Sequence, residues 1–153
     1  MRLRDLSKTS KGIFIVTAIA SFSGFIDASY LVAKKVQGGS INCFVFSGCD
    51  TVSNSVYSTF LGLPVAIYGA AFYLSIFILS VLFLERREPR AAIAVAVLSA
   101  LGFIATLYLL YLQAFVIGQF CFYCVLSAAF SSVIFGSMIA AWLAAGEREL
   151  QKA

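Results

Sequence analysis

Four cysteines are the side chains of this sequence best suited to chemistry: Cys43, Cys49, Cys121 and Cys124. The last two form a C-x-x-C, the spacing used for dithiol–disulfide exchange. We expect this motif at the first turn of a helix, where backbone N–H groups and the helix dipole stabilise a thiolate. The first two are close enough in sequence to close a small ring. Two such pairs in series predict an electron relay that works by thiolate attack through a mixed disulfide.

The elements that must hold these cysteines are apolar helices. Hydrophobic residues make up 61% of the 153-residue chain and charged residues only 12%, whereas a soluble domain has roughly 25% charged residues. We therefore predict one all-α membrane domain over residues 1–153, a bundle of four transmembrane helices. The four apolar runs long enough to cross a bilayer are residues 12–33, 64–84, 91–117 and 121–145.

The positions of Lys and Arg indicate which side of the membrane each connection faces. Nine of these residues lie before the first span, between the second and third, or after the fourth, and only Lys34 and Lys35 lie elsewhere. Because positive residues concentrate in cytoplasmic segments, both termini are predicted to be cytoplasmic. Short flanking clusters of this kind are not a nucleic-acid-binding stripe. The outer loop, about residues 34–63, and the turn at 118–120 then carry all four cysteines on the outer face.

That face is the oxidising side of the membrane in cells that make disulfides. The four cysteines there have three possible roles other than a relay. Free cysteines often act as small buried hydrophobes. Static disulfides often staple short extracellular loops. A four-thiolate zinc site fits the C-x5-C and C-x2-C spacings, although the outward location argues against it and we expect no metal. The chain contains no His, which excludes Cys-His catalysis and histidine metal ligands.

Small residues predict how the spans meet. The first span repeats small residues at four-residue spacing, as does the fourth, and such stripes let helix backbones approach closely. We therefore expect the fourth span to be central in the bundle. The two stripes are Ala20, Gly24 and Ala28 in the first span, and Cys124, Ala128, Ser132, Gly136, Ala140 and Ala144 in the fourth.

The second half of the outer loop is predicted to contain a short interfacial helix. Asp50 or Ser53 is its expected cap, and Gly62-Leu63-Pro64 leads from it into the second span. The apolar residues of this segment suit a position on the membrane surface or a roof over the bundle; they are Val56, Tyr57, Phe60 and Leu61.

Two stretches of the sequence resemble the vitamin K epoxide reductase family in its prokaryotic form. They are CDTVSNSVYSTFLGLPVAIYG, which starts at Cys49, and FCFYC, which ends at Cys124. They contain a loop cysteine followed by a serine, a Gly-x-Pro before the second span, and a C-x-x-C opening the fourth. The resemblance extends from Ser29 through the fourth span, and it implies a four-helix bundle around a quinone, roofed by the loop helix.

The resemblance implies a role for each cysteine. Cys124 would face the quinone and exchange electrons with it, and Cys121 would form a transient disulfide with Cys49. Cys43 would accept electrons from a thioredoxin-like protein, and Ser55 matches the family serine near the active site. With no fused thioredoxin-like domain expected here, the partner would be a separate DsbA-type protein, and the net result would be disulfide formation in secreted proteins.

The quinone, of ubiquinone or menaquinone type, has several candidate contacts besides Cys124. Val65 and Ala128 stand where the vertebrate branch has an Asn and a Tyr, so quinone reduction is a safer expectation than vitamin K epoxide reduction. Phe122, Tyr108 and Tyr111 lie near the outer ends of their spans. These aromatic residues either line a quinone pocket or belong to an aromatic belt at the membrane surface.

Two polar residues lie within the spans. Asp27 is ionisable at membrane depth, which makes it a functional hypothesis; the alternative is that it reaches the interface or bonds Ser29 or Tyr30. Gln113 is interpretable as interhelical glue. The alternative to the whole relay is a non-enzymatic membrane protein whose disulfides are structural.

Overall fold

The computed structural model describes residues 2–39, 48–87 and 89–150. After the helix Pro89–Tyr111 the chain continues as a π-helix, Leu112–Ile117, and then turns at Gly118 with φ +69°. The α-helices are α1 (Arg2–Gln37), α2 (Cys49–Asn54), α3 (Val65–Arg86), α4 (Pro89–Tyr111) and α5 (Phe122–Leu150).

Four helical stretches in the described part of the chain are long and apolar enough to cross a membrane. In lipid every backbone N–H and C=O must be paired within the protein, and a continuous helix does this. The predicted fold class, an all-α bundle of four membrane helices, is confirmed. The stretches are Lys11–Gln37, Val65–Arg86, Pro89–Ile117 and Phe122–Ala145. Cys121 therefore precedes the fourth span instead of opening it.

Helix α1 is the most enclosed of the four. It packs against both α3 and α5, and α4 closes the bundle against the same two helices. The prediction that the fourth span is central is wrong. Its small-residue stripe is exposed at Ser132, Gly136 and Ala140, because the bulkier Ile134 and Met138 face the core instead. The core cluster consists of Phe14, Ala20, Ala28, Tyr73, Ile76, Val95, Ile134 and Met138.

The connection between α1 and α3 contains the predicted short helix, α2, but neither predicted cap holds it. Gly48 is the N-cap and makes no side-chain hydrogen bond, since the helix begins before Asp50. The Asp50 carboxylate lies instead in the first turn, where it complements the helix dipole.

A two-stranded hairpin follows α2, and the sequence analysis did not anticipate it. A 3-10 turn, Val56–Ser58, leads into strand β1 (Thr59–Phe60), which pairs antiparallel with β2 (Leu63–Pro64). Leu61 and Gly62 form the turn with φ of 51° and 81°, both positive as the tightest hairpin turns require. The hairpin tip is highly exposed, with Leu61 at 82%, which suits contact with a membrane surface.

Candidate functional site

Two cysteines from distant parts of the chain meet at one end of the bundle. Cys49, the first residue of α2, has no solvent exposure, and Cys121, just before α5, has 1%. Both belong to one buried cluster with Val52. The partly buried residues packed around this sulfur cluster are Tyr30, Leu31, Ile117, Phe122, Tyr123 and Cys124. The fold thus brings the second loop cysteine to the C-x-x-C motif.

The described cysteines differ in bonding state. Cys49 is disulfide-bonded, whereas Cys121 and Cys124 are free thiols. Cys43, for which we predicted contact with an external partner, lies outside the described residues. The free C-x-x-C next to a disulfide-bonded cysteine has the composition that thiol–disulfide exchange requires, a thiol beside a disulfide.

Cys121 acts as the N-cap of α5. Its carbonyl accepts a hydrogen bond from the backbone N–H of Val125 at 3.0 Å, and its Sγ accepts one from the backbone N–H of Cys124 at 3.4 Å. A sulfur therefore occupies the place that a Ser or Asp oxygen takes in other helix caps. The C-x-x-C spacing fixes this geometry because the capping side chain bonds the N–H three residues on.

Hydrogen bonds within the C-x-x-C motif make Cys121 more acidic than an ordinary thiol. A hydrogen bond from the Cys124 thiol lowers the pKa of Cys121, and the backbone N–H groups of Cys124 and Tyr123 act in the same direction. Burial and the negative charge of Asp27 oppose this shift without reversing it. Cys121 is therefore suited to be the attacking or leaving thiolate in disulfide exchange.

Gln113 holds the backbone of the C-x-x-C motif. Its Oε1 accepts a hydrogen bond from the backbone N–H of Cys121 at 3.0 Å, and the side chain is 4% exposed. The π-helix places Gln113 here, since its wider turn lets the adjacent residues Leu112 and Gln113 both face inward. Such π segments occur often at functional sites. In the sequence, Gln113 is interpretable only as interhelical glue, because the one signal it gives is a polar side chain within an apolar span.

Gly48 sets the distance between α2 and the turn that precedes α5. A Cβ atom at this position would lie 2.8 Å from the carbonyl oxygen of Phe120 and 2.9 Å from Cβ of Gln119. Both separations are too short for real carbon contacts. The absence of a side chain at Gly48 therefore allows α2, and with it Cys49, to pack directly against this turn.

A cavity of about 160 Å³ lies between α2 and the four membrane helices. A cavity of roughly 150 Å³ accommodates one aromatic ring. Its apolar walls include Val65, Leu109 and Leu112, and polar groups reach it from α1, α2, the π-helix and α5. The lining residues with chemical or polar function are Lys35, Ser53, Ser55, Tyr57, Ser58, Gln113, Cys121, Cys124 and Ser127.

Of the six predicted quinone contacts, two line the cavity and four do not. Cys124 and Val65 line the cavity. Tyr108 and Tyr111 do not and are each more than half exposed on the bundle surface. Two further candidates also lie outside the lining. They are Phe122, which packs in the sulfur cluster, and Ala128, which is buried beside the lining residue Ser127.

Ser55, the predicted active-site serine, lines the cavity and ends α2. Its Oγ donates a hydrogen bond to the carbonyl of Val52 at 2.8 Å, and its backbone N–H bonds the same oxygen at 3.3 Å. Ser58 Oγ in turn donates to the Ser55 carbonyl at 2.8 Å. These serines therefore stabilise the loop wall of the cavity with their own hydroxyl protons.

Lys35 ties the end of α1 to this loop, a role that the sequence analysis missed. Its Nζ donates hydrogen bonds to the Ser53 carbonyl, to Oδ1 of Asn54 and to Oγ of Ser58. From the sequence, Lys35 was predicted only to be a charge on the outer side. Its role in the loop could not be predicted because its hydrogen-bond acceptors lie 18 to 23 residues away in the chain. Lys35 also lines the cavity.

This chain matches the model of a known protein family. The model described as vitamin K epoxide reductase family matches residues 15–139. The match runs from α1 to α5 and contains Cys49, Gln113, Cys121 and Cys124.

Proposed function

This chain belongs to the vitamin K epoxide reductase family, and from that premise we propose that it oxidises a thioredoxin-like protein and reduces a quinone. The family makes it a membrane oxidoreductase that works on thiols and disulfides. The observation that supports the specific reaction is the meeting of Cys49 and Cys121 in one buried cluster, at the wall of a cavity that Cys124 also lines.

The cavity fits the ring of a quinone. Its size suits one aromatic ring, and most of its wall is apolar, as small-molecule sites are. Val65, Leu109 and Leu112 would hold the ring faces, and Cys124 would stand beside it. A bound quinone would take up the two electrons and two protons released when the C-x-x-C motif closes to a disulfide.

The cysteines perform the transfer in a fixed order. A dithiol of the partner reduces the disulfide that contains Cys49, with Cys43 as the proposed point of entry. The Cys49 thiolate then attacks Cys121 of the closed C-x-x-C, and the Cys121–Cys124 bond breaks so that Cys124 leaves as a thiolate. The second loop thiol displaces Cys121 from the mixed disulfide. The loop disulfide is thereby restored and the C-x-x-C is left as a dithiol.

The proposed orientation places this relay on the outer face of a cell membrane. Lys and Arg concentrate in the segments that flank the cytoplasmic ends, so both termini are cytoplasmic in this proposal. The partner is then a separate DsbA-type protein, and the physiological result is disulfide formation in secreted proteins.

The decisive experiment uses purified protein in detergent, a short-chain quinone and a reduced thioredoxin-like protein. We expect the wild type to reduce the quinone, followed by its absorbance, and Cys124→Ser to lose this activity. Cys124→Ser is also expected to accumulate a Cys49–Cys121 disulfide, visible by non-reducing peptide mapping. Activity that survives in Cys124→Ser, or a trapped disulfide between other cysteines, would contradict the order of the relay. No reduction of any quinone by the wild type would support structural disulfides instead.

A further inference from the structure

Asp27 is the only charged residue within the four apolar runs of the sequence, which are residues 12–33, 64–84, 91–117 and 121–145. The residue is 7% exposed, and none of the described residues donates a hydrogen bond to its Oδ2. This oxygen therefore neither reaches the interface nor bonds Ser29 or Tyr30. An ionisable group inside a membrane is costly, so its presence calls for a functional explanation.

The face of α1 that carries Asp27 points toward the sulfur cluster. Tyr30 and Leu31 follow Asp27 by three and four residues, so the three side chains share one helix face. Both of these neighbours pack against the cluster of Cys49 and Cys121. The centre of the Tyr30 ring lies 4.9 Å from that of Tyr123, the residue that precedes Cys124 in the C-x-x-C sequence. Asp27 thus lies one helical turn deeper than the C-x-x-C.

One helical turn before Asp27, the same face of α1 packs against Tyr73, whose hydroxyl already has a hydrogen-bond partner. Gly24, three residues earlier on the same face, would bring a Cβ within 2.6 Å of the Tyr73 ring. Tyr73 donates its hydroxyl proton to Ser127, with its oxygen 2.7 Å from the Ser127 carbonyl. Ser127 lines the cavity. The face of α1 that carries Asp27 therefore meets this polar pair one turn before Asp27 and the sulfur cluster one turn after it.

The negative charge of Asp27 acts on the motif directly, since it raises the pKa of Cys121 against the hydrogen bonds that lower it. The other titratable groups facing this region are the phenols Tyr30, Tyr73 and Tyr123. Lys35 at the cavity carries its protons on hydrogen bonds to the loop. Among the described residues of this region, Asp27 is accordingly the group suited to receive a proton.

We propose that Asp27 Oδ2 accepts a proton that leaves the C-x-x-C when its two thiols are oxidised. This inference rests on the proposed function. Two thiols lose two electrons and two protons as the S–S bond forms. The electrons and finally both protons go to the quinone, and Asp27 holds one proton in transit.

The first test needs no quinone. Asp27→Asn removes the carboxylate from the neighbourhood of Cys121, so the pH profile of Cys121 alkylation should shift to lower pH. Glu85→Gln, the same chemical change at an exposed position near the cytoplasmic end of α3, should leave the profile in place. An unchanged profile in Asp27→Asn would overturn the proposal, because the carboxylate would then not act on the thiols.

The second test measures quinone reduction across pH. Positioned proton transfer contributes about 10²-fold or more to a rate, so Asp27→Asn should lose about that factor near neutral pH. The defect should shrink as pH rises, because the thiol then ionises without help. A pH-independent defect would assign Asp27 a structural role and overturn the proposal. So would a wild-type rate at every pH.

Chemical rescue keeps the proposal testable if Asp27→Asn folds poorly. Asp27→Ala leaves a space at the same position, and added formate should restore its rate of quinone reduction in a concentration-dependent way. Absence of rescue in a folded Asp27→Ala would count against the carboxylate as proton acceptor. If the wild type and Glu85→Gln also reduce no quinone, the proposed function itself fails, an outcome distinct from failure of Asp27 alone.

Discussion

The carboxamide oxygen of Gln113 accepts the backbone N–H of Cys121 at 3.0 Å, which joins the end of the third membrane helix to the reactive motif of the fourth. This bond satisfies a buried N–H donor at the start of α5. It also fixes the backbone from which the Cys121 sulfur extends.

Replacement of Gln113 by Met keeps the side-chain volume and removes the acceptor. We expect a loss of about 1–3 kcal/mol in the free energy of unfolding, because the Cys121 N–H is left buried and unpaired. Thermal unfolding of the detergent-solubilised protein measures this. Gln37→Met makes the same change at the exposed end of α1 and should have little effect. Equal effects of the two substitutions would show that the bond to Cys121 contributes nothing.

The acidity of Cys121 depends on Cys124. Because the hydrogen bond from the Cys124 thiol is the largest cause that lowers the pKa of Cys121, Cys124→Ala should move the pH profile of Cys121 alkylation upward. The thiolate forms only above the pKa, so alkylation of this variant should require higher pH than in the wild type. Cys124→Ser retains a donor at the same position and should shift the profile less. The idea fails if Ala and Ser give the same profile.

Lys35 is expected to hold the loop over the cavity. Lys35→Met removes all three hydrogen bonds to the loop and should cost about 1–3 kcal/mol of stability, since bonds from charged donors are the stronger ones. Hydrogen exchange should accelerate in residues 49–58, and quinone reduction should weaken. Lys34→Met is the matched control, because it removes the same charge from the neighbouring residue, whose Nζ lies over the Tyr30 ring at 5.8 Å. Faster exchange in both variants alike would point to a general effect of charge.

Gly48 provides a steric test of the contact between α2 and the C-x-x-C turn. Gly48→Ala introduces a Cβ within 2.8 Å of the Phe120 carbonyl, and the required shift should cost about 1–3 kcal/mol. It should also slow formation of the trapped Cys49–Cys121 disulfide in a Cys124→Ser background. Gly136→Ala meets open space in α5 and should be neutral or slightly stabilising. Trapping at an unchanged rate in Gly48→Ala would mean that this contact does not control the approach of the sulfurs.

Much of the architecture was accessible from sequence because lipid imposes strong rules. Apolar run length predicts membrane helices, and the four runs correspond to the four spans of the structure. Helix packing was less predictable. The small residues around Gly136 look like an interface in sequence, yet Ile134 and Met138 form the core side of α5, because periodicity alone does not say which face meets a neighbour.

The candidate site was predictable in its described sulfurs from their spacing, and in Ser55 and Val65 from the family resemblance. Spacing identifies the C-x-x-C of Cys121 and Cys124 without any structure. Gln113 and Lys35 act through partners 8 and 18 or more residues away, and no local pattern announces such bonds. The hairpin turn at Leu61 was also missed, since a leucine with φ of 51° contradicts the usual preference for Gly or Asn at such positions.

The complete burial of Cys49 has a consequence for traffic between the enzyme and its surroundings. Rates of thiol–disulfide exchange depend on access to the sulfur as well as on thiolate fraction. Small reducing thiols that diffuse past the protein find no surface of Cys49 to strike. In the proposed relay, electrons therefore reach Cys49 through the sulfur to which it is bonded. The fold therefore slows direct reduction of Cys49 by small thiols in solution, and this protects the C-x-x-C behind it in the proposed relay from the same reaction.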